Sequence, residues 1–167
     1  MKTKWLAIIF AAFFSVVLVG CSSSAGTEET GSKKTVTGPN IAGIQLGDSR
    51  DHVVQVLGDD YSETVNSEPA YYGEPQRIMK YDRGITVIIG KESLRVLHVL
   101  SHSPEFQNDL GVKVGDPAGV VLQKYRPKYE EYQGVNSDGK NLGWFEVADG
   151  ILMIFDYLIS IKTITQK

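Results

Sequence analysis

Polarity changes in steps along the chain. Residues 5–19 are apolar but for Ser15, behind a positive start, Met1-Lys2-Thr3-Lys4. Residues 22–40, SSSAGTEETGSKKTVTGPN, then hold almost no large apolar side chain. Such a segment cannot bury enough surface to offset its ordering entropy, so it reads as a flexible tether, closed by Pro39-Asn40, whose role is reach. Beyond it the apolar positions become periodic. Ala118, Val121, Leu122 and Tyr125 recur at i, i+3, i+4 and i+7, the stripe of an amphipathic helix, and Val53, Val54, Val56 and Leu57 repeat it less regularly. Asp48 and Asp116 are placed to N-cap these helices and Pro117 suits a first helical position. Gly58 ends the first, and Pro127 ends the second by excluding the α conformation at Arg126. β-Branched and aromatic runs cut by turn residues predict strands at 77–81, 85–89 and 94–100, and again at 142–147, 151–155 and 158–164. Asp82-Arg83-Gly84, Gly90-Lys91-Glu92-Ser93 and Asp149-Gly150 are the turns.

This succession occurs twice. Gly43-Ile44-Gln45-Leu46-Gly47-Asp48-Ser49 and Gly111-Val112-Lys113-Val114-Gly115-Asp116-Pro117 stand 68 residues apart, and at that offset Val53 meets Val121, Tyr61 meets Tyr129 and Glu63 meets Glu131. With two residues fewer, Gly84-Ile85 meets Gly150-Ile151. The order of elements matches as well, which points to a duplication of residues 41–105 in 106–167. The expected class is α+β: two tandem helix-plus-antiparallel-meander units forming one two-layer helix-on-sheet domain, with one sheet face left to water or a partner.

Cys21 is the only cysteine, and the run Leu18-Val19-Gly20-Cys21 resembles the lipobox of bacterial lipoprotein precursors. With the positive start and apolar core, residues 1–20 read as an export signal. The resemblance implies that the Cys21 thiol carries a diacylglycerol and that the mature chain, beginning there, is tethered to the outer face of a cell membrane, or to the outer membrane of a host that has one. The apolar stretch is shorter than the ~20 residues of a spanning helix. Loss of Lys2 and Lys4 takes the formal charge from −3 to −5. That acidic balance, without a Lys/Arg-rich patch, excludes nucleic acid and leaves a basic partner open.

The repeated glycine–turn–helix–meander unit resembles the repeat of the β-lactamase-inhibitor-protein-like superfamily, which the small outer-membrane assembly lipoproteins carry once and the inhibitors carry in tandem. Over residues 41–167 the resemblance implies a protein-binding or scaffold module rather than a catalyst. Nothing in the residues points to chemistry instead. No nucleophile elbow, phosphate loop or dinucleotide fingerprint is present, so no enzyme activity, cofactor or metal is expected. His98 and His102 are four apart, but on a strand that spacing separates them by ~13 Å. His52 reads as a solvated or capping residue, and residues 136–141 as a hairpin turn.

All eight tyrosines lie beyond Cys21, as does Trp144. Tyr and Trp bring large contact area at small rotamer cost and are efficient protein-binding anchors; half of them filling a small core is the competing reading. Tyr71, Tyr72, Arg77, Tyr132 and Trp144 are the protein-binding candidates. The function expected is a lipid-anchored, non-catalytic envelope lipoprotein that binds another envelope or extracellular protein, with a small-ligand or metal-binding lipoprotein as the alternative.

Overall fold

The computed structural model describes residues 38–135, 137–139, 141–156 and 160–166. The expected signal segment, Cys21 and the expected tether up to residue 37 lie outside the described residues, as do positions 136 and 140 of the expected hairpin turn and 158 and 159 of the last expected strand. Among the described residues the chain forms α1 (Arg50–Leu57), β1 (Ser62–Asn66), β2 (Gln76–Tyr81), β3 (Ile85–Gly90), β4 (Val96–Ser101), α2 (Ala118–Tyr125), β5 (Glu131–Val135), β6 (Asn141–Ala148), β7 (Ile151–Asp156) and β8 (Ser160–Gln166). Every strand pairing is antiparallel, in the order β1-β2-β3-β4-β8-β7-β6-β5.

This overturns the expected α+β class of two helix-on-sheet units. The protein is mostly β, with α-helix confined among the described residues to two stretches of eight residues. Two strands account for much of the difference. β1, SETVN, and β5, EYQGV, lack the apolar alternation by which a strand is recognised, because each is an edge with one neighbour and little to bury.

The register carries a single row across the core face. Glu63, Met79, Val87 and Val99 follow one another from β1 to β4, and Ile164, Met153, Phe145 and Glu131 continue it from β8 to β5. Met79, Val87, Val99, Phe145 and Met153 are fully buried. Both terminal glutamates are held by arginine. Arg77 Nη1 is 2.6 Å and Arg50 Nη2 3.6 Å from Glu63, and Arg126 Nε is 2.6 Å from Glu131. α1 adds Val53 and Leu57 to this core, and α2 adds Val121 and Tyr125. The Tyr125 ring lies 4.9 Å from Phe145 and 5.0 Å from Phe155, and its buried hydroxyl accepts from Asn108 Nδ2 at 2.8 Å.

The caps differ from expectation. Ser49 caps α1, its Oγ accepting from the His52 N–H at 3.2 Å, and Pro117 holds the equivalent position of α2 with no side-chain bond. Asp48 and Asp116 instead close the preceding turns, where their Oδ2 atoms accept from Gln45 N–H at 2.8 Å and Lys113 N–H at 3.0 Å. Arg126 stays in the right-handed helical region and donates to Leu122 O at 3.0 Å, so Pro127 does not end α2 by forcing that residue out. Asn40 is buried, its Nδ2 donating to Gly38 O at 2.9 Å and its Oδ1 accepting from Gly43 N–H at 3.1 Å.

Candidate functional site

Neighbours along a strand point to opposite sides, so the residues between the core positions line an outer face. There too the register forms a row across all eight strands: Ser62, Lys80, Thr86 and Leu100, then Thr163, Ile154, Trp144 and Tyr132. Alongside it run Thr64, Ile78, Ile88 and His98, then Thr165, Leu152 and Glu146. Ile78, Ile88, Leu100, Leu152, Ile154 and Trp144 are only partly buried. Both helices direct their buried residues to the core face, so this second apolar surface is built by the strands alone.

The loop between β1 and β2 reaches over the outer face. Gln76 Nε2 donates to Pro69 O at 3.0 Å and Glu74 O at 2.7 Å, gathering the loop at its base. Glu74 Oε2 accepts from the Glu92 and Ser93 N–H groups at 2.8 and 2.9 Å, tying the loop to the β3–β4 turn. The backbone N–H and hydroxyl of Ser93, helped by the Glu92 N–H, hold the Glu74 carboxyl below the usual carboxylate range. Gly90 makes room for this contact, because a Cβ there would strike Glu74 and Ser93. A short 3-10 turn, Ala70–Tyr72, then lays the Tyr72 hydroxyl 2.5 Å from His98 Nδ1. Burial drives the His98 imidazole down to about 4 and pushes the Tyr72 phenol up. Tyr71 stands edge-on to Tyr72, centroids 5.4 Å apart, and is 71% exposed.

At the β5 end of the same face Tyr132 stacks on Trp144, centroids 6.2 Å apart and planes 11° apart. Tyr132 is 40% exposed, and its hydroxyl donates to Glu130 Oε2 at 3.3 Å. The Glu130 charge and that hydrogen bond, with smaller effects of burial and Glu146, raise the Tyr132 phenol above its ordinary value.

Tyr71, Tyr72, Tyr132 and Trp144 thus lie on or over one face, in two separate places. Arg77 does not join them. Its register with Ile89 puts it on the core side, where Glu63 holds it. The aliphatic positions of the outer face, Ile88, Leu100 and Ile154, were not foreseen, although their signal, apolar residues at both phases of a strand, is present in 85–89 and 151–155. Nor was His98 foreseen as the partner of Tyr72. No group of three or more His, Cys, Asp or Glu is placed to hold a metal ion among the described residues, and none of the helices described is long and apolar enough to cross a membrane. His52 Nε2 is buried, 3.6 Å from Asp48 Oδ2 and without a hydrogen bond. No family model, curated protein or solved structure matches the chain.

Proposed function

We propose that the chain is a lipid-anchored, non-catalytic envelope protein that binds another envelope or extracellular protein through the outer face of its sheet. The observation that carries this reading is the outer row itself, in which Leu100, Ile154, Trp144 and Tyr132 remain partly exposed in one line. Apolar and aromatic surface gathered in this way marks an interaction site more often than it marks a solvated face. Tyr71, beside it on a loop fixed at base and tip, adds an aromatic anchor with little ordering left to lose. The lipobox supplies the anchor and residues 22–40 the reach. The recurrence of the same registers 68 and then 66 residues apart, Glu63 with Met79 and Glu131 with Phe145, supports the duplication.

The test is capture of a stoichiometric protein from the native envelope by the full chain. Leu100→Glu and Trp144→Ala are expected to weaken capture at least about thirtyfold, the loss of ≥2 kcal/mol typical of a hot-spot residue, with the fold retained by circular dichroism. Undiminished capture by both folded variants would overturn the reading, and loss of capture on adding a chelator would favour the metal-binding alternative.

A further inference from the structure

The β5 corner of the outer face carries more chemistry than an apolar contact needs. Tyr132 and Trp144 face each other in register with nearly parallel rings, and the indole is laid over Gly134, where a Cβ would come within 2.9 Å of Trp144 Cζ3. The two stacked rings therefore present a partly exposed aromatic platform. Carboxylates border it on one side. Glu130 accepts from the Tyr132 hydroxyl, and Glu146 lies two residues beyond Trp144 on the same face. Continuing the register one step past Glu131 and Phe145 sets Glu130 opposite Glu146, whose Oε1 also accepts from the Gly150 N–H at 3.2 Å. Glu131, on the core side, is neutralised by Arg126, whereas no lysine or arginine pairs with Glu130 among the described residues.

The other half of the molecule provides an internal control. At the matching positions stand Ser62, Thr64, Asn66, Ile78 and Lys80, in the same strand pairing. The fold therefore makes this corner without stacked rings, without a bare glycine and with a cation where the second half has Glu146. Rings and acids together are a property of the second half alone.

We propose that this corner receives a cationic side chain, an arginine, from the protein that docks on the outer face; the inference rests on the docking reading above and adds the chemistry of the contact. A guanidinium lies flat on an aromatic face and forks its N–H groups onto neighbouring carboxylates, so one group satisfies both parts of the platform. The net charge of the chain, −3, favours a basic partner in the same sense.

The experiment uses the full chain in a neutral detergent with 15N-labelled indoles, titrated with a hexa-arginine peptide and with its hexa-citrulline counterpart, which has the same shape and no charge. The arginine peptide is expected to shift the Trp144 indole resonance, and citrulline to leave it in place. Glu130→Gln should weaken the arginine peptide about tenfold, while Glu92→Gln, the same charge change in the β3–β4 turn, should alter it less than about twofold. Tyr132→Ala should match or exceed the Glu130→Gln loss. Equal effects of Glu130→Gln and Glu92→Gln, or equal binding of citrulline, would overturn the proposal, as would an uncharged oligosaccharide that shifts Trp144 as strongly as arginine. Failure of the docking reading is separately visible. Envelope capture lost in Leu100→Glu but unchanged in Glu130→Gln keeps docking and overturns the arginine contact, whereas peptide binding as expected with no captured protein supports the cation site and removes docking.

Discussion

His98 shows how one side chain on the outer face sets a pH limit. Its folded-state value of about 4 lies below the ordinary histidine value of 6.5 because burial disfavours the charged ring. The unfolded chain therefore takes up the proton first. Stability is complete above about pH 6.5 and falls as the pH drops towards 4, with a total loss of about 3 kcal/mol if the whole shift is expressed. The carboxyls of Glu74 and of Glu105, which Arg83 holds, are shifted down instead, so their contributions fade only below the usual carboxylate range, whereas burial shifts the Asp109 carboxyl up, so that it takes its proton first in the folded chain and offsets part of the histidine loss. His98→Gln, which keeps a polar group beside Tyr72, is expected to flatten the change in urea midpoint between pH 4.5 and 7. A variant as acid-sensitive as the parent in that window would show that His98 does not govern it. Neither the burial of His98 nor its Tyr72 partner was legible in the sequence, since both depend on a loop crossing a sheet face.

At the level of elements, the apolar runs at 77–81, 85–89, 142–147 and 151–155 placed four inner strands within a residue, because such strands must bury side chains and show it, whereas the run at 94–100 began two residues before β4, with Leu94 in the turn at positive φ. The edges were not legible, for the reason that makes them edges. With β1 and β5 unseen, the two pairings that matter at the surface were invisible as well: Arg77 with Glu63, which removes Arg77 from the outer face, and Tyr132 with Trp144, which builds the platform. The turns before the helices were legible in position but not in role, since Asp48 and Asp116 serve the turn and not the cap. The seam between β4 and β8 was not foreseen, and it carries a prediction. Val99 is fully buried in β4, paired with Val87 on one side and Ile164 on the other. Proline there removes a ladder donor between two neighbours, so Val99→Pro is expected to cost about 3 kcal/mol or more by chemical denaturation. A loss below about 1 kcal/mol would mean that β4 is not held between β3 and β8 as a central strand.

For the molecule as a whole, the decisive test is at the anchor. Cys21→Ala removes the thiol that the lipobox reading requires, and is expected to abolish incorporation of a radiolabelled fatty acid and to move the protein from the detergent phase to the aqueous phase. Equal labelling of both proteins would remove the lipid from the picture and leave a sheet with no defined station. The order of the strands also has a consequence in time. β8 follows the other seven in sequence yet lies in the middle of the sheet, against β4. A chain emerging from a ribosome or a channel delivers β4 long before its partner. Throughout that wait β4, which carries Val96 and Val99, is the raw border of a half-made sheet, a border that other molecules can extend. Arrival of β8 closes the wound at the centre and leaves as borders β1 and β5, two strands of five residues that make poor templates. For this protein the hazardous moment is therefore not the finished state but the interval before the eighth strand arrives, and its length is set by the rate of delivery.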